Sequence, residues 1–140
     1  MNREEIQKII PHRGGMLLVD EVCREGDICR GSYRVRGDEW FLDGHFPGNP
    51  LVPGVILCEI VAQCACLLVV DDQEAVQPFY AGMDKVRFRR PVRPGDVLMV
   101  ETRLKRRIGS IIMASGRGDV GDEVAVELDF SVALSWENSS

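Results

Sequence analysis

Residues 44–70, GHFPGNPLVPGVILCEIVAQCACLLVV, hold one histidine, three prolines and an apolar run in which Glu59 is the sole acidic or basic side chain. A carboxylate inside an apolar helix loses hydration, which disfavours its charged form and moves it toward the range where it exchanges protons near neutrality. Glu59 is therefore a candidate proton donor or acceptor. A structural role, with the carboxylate bonded to a backbone amide or an arginine at the helix rim, accounts for its position equally well. Gln63 stands one helical turn on, where its amide could hold Glu59 or a water, or serve as a polar residue at a subunit contact. His45 sits in a segment whose glycines and prolines fix the backbone path. Such rigidity can aim an imidazole, although a loop histidine is more often simply exposed. Gly54 falls at the start of the helix, where free amides and the helix dipole favour developing negative charge and the missing side chain allows close approach. An imidazole, a desolvated carboxyl and an N-terminal amide in a dry setting are the parts that proton abstraction beside a carbonyl requires. No Ser-His-Asp order, phosphate-binding loop or dinucleotide fingerprint competes with them.

The elements that must position these groups follow from periodicity. The helix begins with Pro53, suited to a first turn, and from Val55 to Val70 apolar residues occur on every side, the pattern of a helix surrounded by protein. The run is about a turn short of the ~20 residues a bilayer span needs and carries Glu59 and Gln63, so it reads as a core helix. Elsewhere the period is two. MLLVDEV, residues 16–22, reads as a strand. In CRGSYRVRG, Cys29, Gly31, Tyr33 and Val35 alternate with Arg30, Ser32, Arg34 and Arg36. KVRFRRPV turns Val86 and Phe88 inward with Arg87 and Arg89 outward; Leu98, Val100, Thr102 and Leu104 share a face; apolar residues fill every even position from Val124 to Leu134. Breaks at RPGD, RIGS and VGDE make the second half an antiparallel meander whose concave side the one long helix fills. A short amphipathic helix is expected from Glu4 to Ile10, ended by Pro11.

A chain of 140 residues, 45% hydrophobic, fits one domain with one core, here residues 1–137 with a short polar tail at 138–140. Its N-terminus lacks the hydrophobic stretch of a secretory signal, so a cytoplasmic location is expected. The five cysteines, an odd set without C-x-x-C spacing, read as reduced core residues. A zinc site from His45 and Cys58 falls short of the four ligands of a structural site, and no metal is expected. The net charge of −5 argues against nucleic acid. Nine of the seventeen Lys and Arg nevertheless lie between Lys85 and Arg107, either as the solvated side of a strand pair or as a basic face for an acidic partner.

GHFPGNPLVPGVILCEIVAQ resembles the signature of the FabZ-type (3R)-hydroxyacyl-[acyl carrier protein] dehydratases. IIPHRGGMLLVDEV is similar to that family's N-terminal segment and FYAGMDKVRFRRPVRPGDVL to the segment after its helix, so the match runs through almost the whole chain. The resemblance implies an α+β hotdog fold, a long antiparallel sheet wrapped around a central helix. It also implies a homodimer whose joined sheets place the histidine of one subunit against the glutamate of the other, with trimers of dimers as a further assembly. Carried over residue by residue, His45 and Glu59 match the catalytic pair, Gly54 the glycine whose N–H binds the thioester carbonyl, and Gln63 the glutamine beside the acid. Phe46 and Phe79 fall where family members line or gate an acyl tunnel. FabA-type relatives, which also isomerise the double bond, carry Asp where this chain has Glu59, so the glutamate points to dehydration alone. Gly14 and Gly15 stand where the family commonly has an aromatic residue and a proline, and Asp43 stands for a frequent Gln.

The activity so implied is reversible loss of water from a 3-hydroxyacyl thioester to give the trans-2-enoyl product in fatty acid biosynthesis, with no cofactor. The substrate would arrive on the phosphopantetheine arm of an acidic acyl carrier protein. Lys85, Arg89, Arg90, Arg103, Lys105, Arg106 and Arg107 are candidates for docking that carrier, though alternate residues of one strand face opposite ways. Two other readings are a hotdog acyl thioesterase, since fold does not fix chemistry, and a non-catalytic module that binds the acyl carrier.

Overall fold

The computed structural model describes residues 1–8, 14–42, 50–69 and 76–136, with the backbone alone at 69, 76–79 and 134–136. Among the described residues, strands β1 (Glu21–Glu25), β2 (Ile28–Arg34), β3 (Val76–Phe88), β4 (Val97–Ile108), β5 (Ile111–Val120) and β6 (Glu123–Trp136) form one sheet. Their order is β1-β2-β4-β5-β6-β3, and every neighbouring pair is antiparallel. The two-residue turns that join β1 to β2, β4 to β5 and β5 to β6 each open on a glycine at positive φ, namely Gly26, Gly109 and Gly121. That conformation matches the right-handed twist of the strands it connects.

Alternation decides which face meets the core. Cys29, Gly31 and Tyr33 of β2, Leu98, Val100 and Thr102 of β4, and Val126, Leu128, Phe130 and Val132 of β6 all turn inward as their spacing predicts. Against that face lies α2 (Gly54–Gln63), which touches β4, β5 and β6. The approach is close because Gly116 of β5 has no side chain: a Cβ there would meet the Val61 Cγ1 methyl, with Thr102 Cγ2 only 3.2 Å away. Ile60, Val61 and the inward residues of three strands close into one hydrophobic core.

The outer face carries charge in cross-strand order. Arg30 of β2 bridges Glu25 of β1 at 3.6 Å and Glu101 of β4 at 3.2 Å, and Arg117 of β5 reaches Glu101 at 3.8 Å. Exposed pairs of this kind add little stability singly, but they fix which strand faces are wet.

Several boundaries differ from the sequence expectation. The strand expected over 16–22 begins only at Glu21, where pairing with Ser32 starts. Ahead of it, Gly14–Met16 forms a 3₁₀ turn, and Leu17, Leu18 and Val19 run buried without a sheet partner. The first helix, α1, spans Arg3–Ile6, held by a capping box between Asn2 and Glu5, and Ile6 is buried as expected; residues 9–13 lie outside the described set. Pro53 is the N-cap of α2 rather than its first residue, with ψ 144°, and its carbonyl accepts from the Ile56 and Leu57 amides. The long helix also breaks after Gln63, where the Ala65 amide bonds back to Ala62, tightening the last turn before α3 (Cys66–Val69). Strand β3 starts at Val76, well before the expected Lys85, because it pairs along β6 as far as Trp136.

Cys29, Cys58, Cys64 and Cys66 are buried, whereas Cys23 is exposed, and all five thiols are free. Burial pushes the Cys29 thiol up to about 11 and that of Cys66 up to about 12, which keeps both protonated and unreactive. Among the described residues no helix is long and apolar enough to cross a membrane.

The contact at Gly116 yields a direct expectation. Gly116→Ala should force β5 away from α2 and destabilise the protein by about 1–3 kcal/mol, the usual cost of overpacking; urea unfolding of the two proteins side by side measures it.

Candidate active site

Glu59 is half-buried on α2, and its carboxylate is held from within its own helix. Gln63 Nε2 donates to Glu59 Oε1 at 2.9 Å, the pairing that i,i+4 spacing predicts. Gln63 is itself 3% exposed and fully engaged. Its Oε1 accepts the Leu18 amide at 2.9 Å, and its Nε2 also donates to the Met16 carbonyl at 2.8 Å. The segment from exposed Met16 to buried Leu18 therefore satisfies its backbone through a side chain of α2, in place of the strand ladder expected there. That arrangement orients the amide, so the nitrogen and not the oxygen points at Glu59.

At the other end of α2, Gly54 occupies the first helical position, where amides have no intrahelical acceptor. The ring of Phe88, from the end of β3, lies over it: a Cβ at Gly54 would sit 2.7 Å from Phe88 Cζ. Alternation had turned Phe88 inward, yet it is 55% exposed. The reason is its place on β3, an edge of the sheet with no strand beyond it. Val55 corrects the expectation of a helix enclosed on all sides, being 76% exposed between Gly54 and Glu59. The helix is thus walled by protein except on the face that carries the two groups of interest.

The sequence reading passed over Tyr80. This β3 residue reaches the Glu59 carboxylate, and burial, the charge of Glu59 and a hydrogen bond with it all hold the phenol protonated, far above its ordinary value. The available signal was a polar tip next to Phe79 in a segment already matched to the family, but only the pairing of β3 with β6 brings it to α2.

His45, Phe46 and Asp43 lie outside the described residues, as does the tail at 138–140; Phe79 is on β3, described by its backbone alone. The basic residues divide. Arg89 pairs with Glu127, Arg90 with Asp96 at 3.6 Å and Glu123 at 3.7 Å, and Lys85 and Lys105 share Asp129 at 3.8 and 3.3 Å. Arg103, Arg106 and Arg107 are exposed along β4. The unusual Gly15 has a partner in Trp40: the indole donates Nε1–H to the Gly15 carbonyl at 3.0 Å and fills the space a side chain at position 15 would need. Among the described residues no group of three or more His, Cys, Asp or Glu side chains could hold a metal ion.

A family model described as "FabA-like domain" matches residues 10–129. The chain belongs to the FabA-like family. Relatives within reach are close: the 3-hydroxyacyl-[acyl-carrier-protein] dehydratase FabZ of Moorella thermoacetica is 43% identical over 138 residues, covering 96% of each chain. The enzyme of the same name from Fusobacterium nucleatum is 36% identical over 134 residues, covering 94% of this chain and 95% of its own. Among solved structures, the dehydratase heterocomplex ApeI:P from Xenorhabdus doucetiae aligns with a TM-score of 0.79 at 17% identity, over 94% of this chain and 91% of that one. A probable thioesterase from Bartonella henselae aligns with a TM-score of 0.63 at 20% identity, over 81% and 95%. These structural likenesses establish the hotdog fold that FabA-like proteins share with thioesterases.

Gln63→Leu strands the buried Leu18 amide and leaves the half-buried Met16 carbonyl without its protein donor. It should destabilise the protein by about 2–4 kcal/mol, at ~1–3 kcal/mol for each buried group left unpaired, read as a lowered midpoint in urea unfolding.

Proposed function

We propose that the protein is a dehydratase that removes water from 3-hydroxyacyl chains carried on acyl carrier protein, a step of fatty acid biosynthesis. The observation that carries this reading is near-full-length identity of 36–43% to dehydratases of that name, on a chain whose Glu59 is held by Gln63 on the helix that Gly54 begins. The thioesterase reading has only the shared fold behind it.

The chemistry assigns one role to each group. His45 removes the proton from the carbon beside the thioester, and the Gly54 amide, at the positive end of the α2 dipole, receives the charge that builds on the carbonyl oxygen. Glu59 gives its proton to the departing hydroxyl, the C–O bond breaks, water leaves and the trans-2 double bond forms between the two carbons. No metal or redox group takes part in these steps. Phe46 and Phe79 belong to the wall of the acyl tunnel.

The site is completed by a second copy of the chain. Val55 on α2, Phe88 over its first turn and Met83 farther back on β3 are exposed apolar residues, and β3 is a long strand at the sheet edge. Such an edge invites pairing with another strand, and joining β3 to β3 across a two-fold axis would bring the partner's residues over Gly54 and Glu59. We place the protein in the cytoplasm, where its carrier would be found, and leave metal out of the site.

Turnover of a 3-hydroxyacyl-[acyl carrier protein], followed by enoyl absorbance and mass, tests the reading. The native protein should release the enoyl product, with losses of about 10²-fold or more in His45→Ala and Glu59→Gln, in line with the ~10²–10⁴-fold that a positioned acid or base supplies. Free thiol without enoyl product would make it a thioesterase, and no reaction with short or long chains would remove the enzymatic reading. For the carrier, Arg106→Glu should weaken docking and flatten its salt dependence; unchanged binding would move the docking surface away from β4.

A further inference from the structure

We infer that the Tyr80 hydroxyl is a positioning group for Glu59, donating a hydrogen bond to the carboxylate that forms as Glu59 gives up its proton. This rests on the acid role given to Glu59 above. Two features of the backbone aim the phenol. Tyr80 pairs directly opposite Val132 of β6, and residues opposite one another in an antiparallel pair share a face. Val132 is buried in the core, so the face in question is the one turned toward α2. Immediately after Tyr80 the ladder slips, with Gly82 next paired to Ser131, leaving Ala81 as the extra residue. Bulges of this sort redirect neighbouring side chains and are common beside active sites.

The chemistry of the pair fits a fixed donor. Tyr80 is 40% exposed as a residue, yet its hydroxyl is desolvated and hydrogen-bonded with Glu59, with Cys58 also acting on it. Both of those groups oppose ionisation of the phenol, so the proton stays on Tyr80 throughout. The proton delivered to the leaving hydroxyl is that of Glu59. As it departs, negative charge grows on the carboxylate, and a donor already aimed there strengthens its hydrogen bond at that moment. Gln63 approaches the carboxylate from α2 and Tyr80 from β3, so the acid is clamped between two elements and cannot rotate with either one alone.

Tyr80→Phe removes a single oxygen and keeps the ring, so packing is preserved. We expect kcat to fall about tenfold with KM within about twofold, the range of one hydrogen bond to a charged group. In a Glu59→Gln background, measured by single turnover at high enzyme concentration, the same exchange should cost nothing further, because no charge develops there. A second readout needs no activity. The chain has two tyrosines, and with ¹³Cζ-labelled tyrosine the Tyr80 resonance, assigned by its loss in Tyr80→Phe, should follow a carboxylate titration that disappears in Glu59→Gln. The Tyr33 resonance should keep its own, since its hydroxyl bonds Glu39 at 2.7 Å. Unchanged kcat, a loss that adds in full to that of Glu59→Gln, or a Tyr80 resonance indifferent to Glu59 would each overturn the inference. A native protein that removes no water would sink the dehydratase reading by itself, and the resonance would still decide whether Tyr80 holds Glu59.

Discussion

The carboxamide of Gln63 makes hydrogen bonds with both of its polar atoms to three groups on two parts of the chain: the Leu18 amide and the Met16 carbonyl ahead of β1, and the Glu59 carboxylate on α2. In a core of this kind an unpaired amide or carboxylate is costly, so these bonds constrain one another. The Leu18 donor requires the oxygen of Gln63, which turns the nitrogen toward Glu59. Leu17 and Leu18 enter the interior without a strand partner, and that side chain supplies the Leu18 amide with its acceptor. The acid acquires a fixed orientation from contacts whose first duty is structural. The fold and the site are thus held by one group, and neither can be altered at Gln63 without the other.

A second constraint is the open edge. The sheet buries its inner face against α2 on β4, β5 and β6, but β3 closes it with no strand on its far side among the described residues, and beside it α2 shows Val55 to solvent while the exposed Phe88 ring covers Gly54. A single copy of the chain therefore exposes apolar surface at the place where reactive groups gather. Hydrophobic cost and chemistry point the same way: the surface that most needs covering is the one that a substrate must enter, so association and catalysis share a boundary.

The outer face answers to a different rule. Its cations meet anions on other strands, as Arg30 with Glu25 and Glu101 on the adjacent β1 and β4, or Asp129 of β6 with Lys85 on adjacent β3 and Lys105 on β4, one strand beyond β5. Four of the nine basic residues between Lys85 and Arg107, namely Lys85, Arg89, Arg90 and Lys105, pair with carboxylates from β6 and from the turn before β4, some of them more than twenty positions away in the chain. Cross-strand neighbours are invisible to a linear scan, which is why the stretch reads as more basic than the surface it makes.

Much of the protein was legible in the chain itself. Period-two alternation named the inward residues of β2, β4 and β6, because a pleated strand sends successive side chains to opposite faces whatever lies around it. The signature from Gly44 to Gln63 named the family, since spacing within one helix fixes which side chains share a face, and Glu59 and Gln63 meet as that spacing requires. What the chain could not disclose depended on contacts distant in sequence. The strand expected at 16–22 gave way to a buried extended segment because Gln63, far along the chain, offered it partners. Phe88 alternates like a core residue, but its strand ended up at the edge, so burial failed for want of a neighbour. Tyr80 carries no motif of its own; only register with Val132 and the bulge after it turn the phenol toward the acid. Local periodicity is a property of the backbone and can be read along it, whereas burial at an edge and the meeting of side chains from different elements are decided by how the sheet closes around its helix.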